Sequence, residues 1–234
     1  MNTARLLRPG AAIFDFDGTI VDSRARMLHC WHTATSTVLG SAFPATKEEE
    51  LTVWRLNGRG VLARLHGDRA VQDEITRIFG ATYLAEGGPV ADPYPGIRAS
   101  LARLSDRGIQ LGVVTAKGRA RLEADLDRLG MRNLFAATVC FEDVPTEKPD
   151  PEGVLLVLTQ LEVEPRDAVM IGDSPQDLEA GRRAGARSIG AGWGLFGPAL
   201  LAEAGADVIL TDPQDVAPVV CAIVGDASSV PQPA

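Results

Sequence analysis

The stretch AAIFDFDGTI, residues 11–20, decides how the rest of the chain is read. Five of its first six residues are apolar, with no polar alternation, as a strand buried on both faces requires. It then turns acidic: Asp15 and Asp17 stand two apart, followed at once by Gly18 and Thr19. Two carboxylates at the end of a buried strand repel each other, and burial raises the cost. Such a pair needs compensation from elsewhere in the chain.

Working outward, short apolar runs recur at 111–115, 137–140, 168–171, 188–191 and 208–210. Helical patterns lie between them, such as Leu122, Leu126 and Leu129 on one face with Gly130 as a stop. Strand alternating with helix predicts an α/β fold, a Rossmann-like doubly wound parallel sheet covered on both faces. One segment breaks the rhythm, because no strand is evident from Ser23 to about Val90. Leu28, Trp31, Thr35 and Val38 repeat at helical spacing, and Thr46 with Glu49 has the spacing of a capping box. Val71, Ile75, Ile78 and Phe79 mark another helix. The expected organisation is a core of residues 1–22 and 91–225, an all-helical cap of residues 23–90 and a flexible tail at 226–234.

The chain carries a formal charge of -8, which argues against a nucleic-acid partner. Cys30, Cys140 and Cys221 are too few and too widely spaced for a disulfide framework or a zinc site. No long apolar run opens the chain, so neither a signal peptide nor a membrane span is expected, and the cytoplasm is the default location.

In parallel α/β sheets ligands collect beyond the carboxyl ends of the strands. After the first strand come Asp15, Asp17, Gly18 and Thr19; after the second, Thr115, Ala116 and Lys117. After the third comes FEDVPTEKPDP with Lys148, and after the fourth GDSPQD with Asp173 and Asp177. Carboxylates, a hydroxyl and an ammonium thus gather on one rim.

In their order, DFDGT, VVT, EKPDP and GDSPQD make the chain resemble the haloacid dehalogenase superfamily, in its phosphatase branch, over about residues 11–210. The resemblance implies a Mg²⁺-dependent phosphatase. Asp15 would be the nucleophile that becomes an aspartyl-phosphate, and Asp17 the general acid and base. Thr115, Gly18, Thr19 and Ala116 would hold the phosphoryl group, and Lys148 would stabilise its charge. The ion would sit on Asp15, Asp173 and the backbone carbonyl of Asp17, with Asp177 orienting Lys148 or a bound water.

An acid at Asp17 separates phosphatases from the family's metal-free dehalogenases. The mutase relatives carry a His where this chain has Met27, so a phosphomutase is an alternative rather than the first reading; a pyrophosphatase, or a catalytically idle relative that binds phosphate compounds, are others. YPGI, TAKGRA and AGWG resemble phosphoglycolate-phosphatase-like proteins, with Ala116 in place of their usual Asn. The expected partner is a small phosphorylated metabolite, with no nucleic acid or membrane, and a monomeric or homodimeric chain. Arg59, in a glycine-flanked turn between two cap helices, would reach a carboxylate or second phosphate on the substrate. His29 and His32, Lys117 and Arg119, and Trp193 are weaker candidates for substrate contact, and Lys47 reads as a solvated helix start.

Overall fold

The computed structural model describes residues 10–56 and 58–225. In chain order the elements begin with β1 (Ala11–Phe14), β2 (Val21–Asp22) and four helices, α1 (Arg24–Leu39), α2 (Lys47–Arg55), α3 (Gly58–Leu65) and α4 (Arg69–Leu84). β3 (Asp92–Pro93) and α5 (Ile97–Asp106) follow, then β4 (Gln110–Val114), α6 (Arg119–Leu129) and β5 (Ala137–Val139). The remainder is α7 (Glu152–Leu161), β6 (Ala168–Gly172), α8 (Pro175–Ala184), β7 (Arg187–Ala191), α9 (Gly197–Glu203), β8 (Val208–Leu210) and α10 (Val216–Gly225). The tail expected at 226–234, and residues 1–9, lie outside the described residues.

Six strands form one sheet in the order β5-β4-β1-β6-β7-β8, and every pairing in it is parallel. The chain winds outward from β1 in one direction, then crosses back to β6 and winds outward in the other. Helices leaving β1 and β6 therefore diverge, and a crevice opens at the carboxyl ends of these two strands. The side chains of β1 alternate between faces. Ala12 and Phe14 join Val113, Ile171 and residues of α5, α6 and α10 in one core. Ala11 and Ile13 join Val114, Met170 and residues of α7 and α8 in the other. Both faces are buried, which is why β1 reads as an unbroken apolar run.

The segment without strand signals is helical, α1 to α4, with its own core around Trp31, Val53, Val61, Ile75, Phe79 and Tyr83. Thr46 and Glu49 form the expected capping box at the start of α2. Gly130 ends α6 in the left-handed conformation, φ 62°. Two features differ from expectation. β2 and β3 pair antiparallel, Val21 with Pro93, so a short two-stranded stem joins the helical segment to the sheet domain. Residues 58–60, expected within a turn, open α3 instead. Two helical glycines cost about 1 kcal/mol each. Burying Val61, 1 % exposed, returns on the order of 2 kcal/mol, and Leu62 and Leu65 also pack on this core.

Candidate active site

The main-chain N–H of Asp15 donates to the carbonyl of Ile171 at 2.9 Å, extending the β1–β6 ladder by one residue. This bond sets Asp15 at the crevice beside the end of β6, two residues before Asp173. The chain then turns sharply: the Ile20 and Val21 N–H groups both donate to the carbonyl of Phe16, and Gly18 adopts φ 87°. A side chain at Gly18 would be strained, and its Cβ would fall 2.4 Å from Oδ2 of Asp173. The N–H of Gly18 donates to the Val21 carbonyl at 2.8 Å, so this glycine contributes the turn rather than a free donor.

Asp173 follows β6, and Asp177 lies in the first turn of α8. Ser174 is the N-cap of that helix, in a capping box with Asp177: the N–H and the hydroxyl of Ser174 donate to Oδ2 of Asp177 at 3.0 and 2.6 Å. Its other oxygen, Oδ1, is 2.5 Å from Nζ of Lys148. The same ammonium donates to Oδ1 of Asp15 at 2.7 Å and to the carbonyl of Val114 at 3.0 Å. Lys148 thus meets oxygens from three segments, donating to two of them and pairing its charge with the third. Asp173 accepts from the Thr19 hydroxyl at 3.3 Å and from the Leu195 N–H at 2.8 Å.

Asp15, Asp173 and Asp177 are all buried, and one oxygen of each lies within 4.8 Å of the others. Three carboxylates beside one ammonium leave two negative charges uncompensated. Burial, reinforced by repulsion from Asp177 and Asp17 against the pull of Lys148, pushes Asp15 up to about 7. Burial and the charges of Asp177 and Asp15 raise Asp173 well above the usual carboxylate range. Burial opposes the charge on Lys148, yet Asp15 and Asp177 hold its proton more firmly than water does. A close set of hard oxygen donors with a charge deficit of two fits a divalent cation. The group that forms is Asp15, Asp173 and Asp177, whereas the carboxylate of Asp17 lies outside it.

Asp17 is paired with Lys117, whose Nζ is 2.8 Å from Oδ1 and 3.1 Å from Oδ2. Burial pushes Asp17 up, but the pull of Lys117 and a Ser23 hydrogen bond win, and its carboxyl is held below the ordinary range. Thr115 is buried, its hydroxyl oxygen accepting from the Lys117 N–H at 3.1 Å, and Thr115 and Ala116 line the cleft.

That cleft, about 980 Å³, lies between the helical segment and the carboxyl edge of the sheet. Arg59, on α3, lines it and also spans it: Nη1 donates to the Pro145 carbonyl at 2.9 Å, and Nε lies 3.7 Å from Glu147. Gln176 ties the opposite side by donating to the Arg55 carbonyl at 2.7 Å. Neither His29 nor His32 lines the cleft; His32 bonds the Pro44 carbonyl instead. Lys47 is exposed and pairs with Glu50, while Arg119 pairs with Asp143. Trp193 donates to the Thr19 carbonyl at 3.0 Å, bracing the loop of the first motif. Sequence reading missed the burial of Lys117, 3 % exposed, and the partners Tyr83 and Asp125 that share it. A lysine two residues beyond a strand end gives no local sign of burial.

Residues 12–191 match the haloacid dehalogenase-like hydrolase family. The chain is 30% identical over 211 residues to the pyrophosphatase PpaX of Bacillus velezensis, covering 89% of this chain and 95% of that protein. It is 31% identical over 217 residues to a phosphoglycolate phosphatase of Agrobacterium fabrum, covering 90% of this chain and 91% of that protein. The fold superposes on CbbY of Rhodobacter sphaeroides, solved in complex with phosphate, with a TM-score of 0.75 at 25% identity, over 89% of this chain and 96% of that one.

Proposed function

The chain belongs to the haloacid dehalogenase-like hydrolases, and from that premise we propose that it is a Mg²⁺-dependent phosphatase that hydrolyses a small phosphorylated metabolite through an aspartyl-phosphate. The observation that carries this reading is the 2.7 Å contact between Lys148 and Asp15, in a buried set with Asp173 and Asp177. A nucleophilic carboxylate whose charge is offset by an ammonium and a cation is able to approach a phosphate dianion.

Asp15, Asp173 and the main-chain carbonyl of Asp17 would hold Mg²⁺, with Asp177 beside them. The ion supplies charge compensation for the carboxylates and for the phosphoryl oxygens. A carboxylate oxygen of Asp15 forms a bond to phosphorus as the ester P–O bond breaks. Asp17 delivers to the departing oxygen the proton that it regains from the water that attacks the aspartyl-phosphate and frees phosphate, so it carries that proton when substrate binds, against the pull of Lys117 toward the ionised form. Thr115 and the backbone at Ala116 hold phosphoryl oxygens, Gly18 provides the turn that brings this loop close, and Thr19, expected among the phosphoryl contacts, instead donates its hydroxyl to Asp173 and steadies that carboxylate. Lys148 stabilises charge on the transferring group, and Asp177 keeps Lys148 in place.

Residues 23–90 act as a cap over a core whose described residues are 10–22 and 91–225, and Arg59 on that cap reads a distal anion of the substrate. Relatives named for phosphoglycolate support a small carboxylated phosphate ester as substrate. The pyrophosphatase name of another relative favours inorganic pyrophosphate as the second reading. Among the described residues no helix is long and apolar enough to cross a membrane. A cytoplasmic site of action is part of the same proposal.

The test is turnover of an aryl phosphate, phosphoglycolate and pyrophosphate with and without Mg²⁺, with mass spectrometry of the quenched enzyme. Cation-dependent release of phosphate and an adduct on Asp15 are expected, with both lost in Asp15→Asn. Undiminished hydrolysis by that variant would refute the route.

A further inference from the structure

Lys117 is a buried, charged residue of this site that the chemistry above leaves without a task. Its side chain is fully buried, and its ammonium reaches both oxygens of Asp17 at 2.8 and 3.1 Å. It also lies 2.9 Å from Oδ2 of Asp125, on α6, and donates to the Tyr83 hydroxyl oxygen, on α4, at 2.5 Å. The Tyr83 hydroxyl in turn donates to Oδ2 of Asp125 at 2.6 Å. The faces of Phe16 and Tyr83 enclose the charge, with ring centres 5.1 and 4.4 Å from Nζ.

An ammonium has three protons, and here four oxygens crowd around them: both of Asp17 and that of Tyr83 accept hydrogen bonds, and Oδ2 of Asp125 pairs with the charge. A buried ammonium with every proton engaged has no freedom to wander, because an unmet donor in this setting is costly. It therefore fixes whatever it binds. Asp17 has a short side chain on a loop that turns sharply at Gly18, and gripping both oxygens sets its rotamer. Two of the three acceptors belong to the sheet domain. The third, Tyr83, is a buried member of the core of the helical segment and approaches from across the cleft.

We propose that Lys117 is a positioning residue for Asp17, and that Tyr83 makes this positioning depend on where the helical segment sits. This inference rests on Asp17 being the proton donor and acceptor of a phosphatase. With α4 seated, Tyr83 and Asp125 hold Lys117, and Lys117 holds Asp17. With α4 displaced, the ammonium loses one acceptor and Asp125 loses its phenol donor, so the grip on Asp17 loosens. A substrate that lets the helical segment seat fully is met by an aligned acid, and one that props it open is not.

The test compares kcat/KM on an alkyl phosphate and on 2,4-dinitrophenyl phosphate, with circular dichroism of each variant. An alkoxide needs a proton as it leaves, whereas dinitrophenolate departs without one. kcat/KM reports only the steps through the first P–O cleavage, so slow hydrolysis of the aspartyl-phosphate does not enter it. For Lys117→Met we expect a loss of about thirtyfold or more on the alkyl ester and a change within about threefold on the aryl ester. Tyr83→Phe keeps the ring and the buried lysine, and should show the same selectivity at about three- to tenfold. If Lys117→Met does not fold, Tyr83→Phe decides alone. Equal losses on both esters, or no loss on either, overturn the positioning role while leaving the phosphatase reading intact. A wild-type protein that cleaves neither ester overturns the phosphatase reading, and this inference with it.

Discussion

Lys148 donates to Oδ1 of Asp15 across 2.7 Å, although 133 positions separate them in the chain. The ammonium also touches Asp177, so it is a shared counter-ion for two buried carboxylates. Removing it leaves buried charge unpaired, which costs about 3–5 kcal/mol in such settings. Lys148→Met should lower the melting temperature and reduce kcat/KM on an aryl phosphate by about a hundredfold or more. Because a cation replaces part of the lost charge, Mg²⁺ should raise the melting temperature of the variant more than that of the wild type. An equal rise in both would remove Lys148 from the charge balance.

The cation-free protein should lose stability as pH rises through the range in which Asp15 ionises. Burial pushes Asp15 up to about 7 from its ordinary 3.8. The folded protein therefore keeps a proton that the unfolded chain has released between those values, and raising pH across that window weakens folding. The contribution is fully present below about 4 and is lost by the time pH passes about 7. Asp173 is shifted in the same direction. Mg²⁺ binds the ionised carboxylates, so the difference in melting temperature with and without it should widen from pH 5 to pH 8, as read by thermal denaturation in buffers of matched ionic strength.

Gly18 and Asp173 approach so closely that no side chain fits between them. A methyl group at Gly18 would meet all of the Asp173 carboxylate within 2.9 Å, on a backbone at φ 87° that L residues rarely adopt. Gly18→Ala should therefore displace Asp173, weaken Mg²⁺ binding about tenfold or more by calorimetry, and cost roughly 1–3 kcal/mol of stability from strain. Unchanged affinity would show that the loop moves aside without disturbing Asp173.

Thiol reactivity offers a check independent of catalysis. Cys30 and Cys140 are fully buried, and burial pushes each thiol up to about 11. At pH 8 only on the order of 0.1% of such a thiol is thiolate. Cys221, half-buried on α10, is the accessible one. Ellman's reagent should react promptly with one thiol in the folded protein and with three in denaturant. Rapid reaction of more than one would place the other two outside the cores described.

Much of this arrangement was legible in the sequence, for local reasons. β1 is buried on both faces and so prints an unbroken apolar run; α2 announces itself through the Thr46–Glu49 capping box; α6 stops at Gly130. Asp15, Lys148, Asp173 and Asp177 were legible because each follows a strand of one parallel sheet, and the topology brings those ends together. What was not legible depends on contacts between distant segments. Val21 pairs with Pro93 in a stem of two residues per strand, too short for a pattern. α3 is held by burial of Val61 against its glycines. Lys117 reads from the sequence as a rim candidate for substrate contact, and only the placement of Asp17, Asp125 and Tyr83 explains its burial.

Arg59 is where the substrate reading and the structural reading meet. Its guanidinium bonds the Pro145 carbonyl, lies 3.7 Å from Glu147 and stacks 4.5 Å over Phe141, all across the cleft from α3. Glu147 is nearly buried, neither of its oxygens accepts a hydrogen bond from the described residues, and burial raises its pKa against the pull of Arg59 and Lys148. A half-exposed arginine near a reluctant carboxylate is free to exchange it for an anionic group on a ligand, which a planar fork binds through two parallel bonds. Arg59→Ala should therefore reduce kcat/KM on a carboxylated phosphate ester by about ten- to a hundredfold and on an aryl phosphate by less than about threefold. Equal losses on the two would mean that Arg59 serves only to tie the helical segment to the sheet domain. Arg59→Lys discriminates further: it keeps a charge able to reach Glu147 but not the fork, so it should leave the aryl-phosphate rate at the wild-type level and keep most of the deficit on the carboxylated ester.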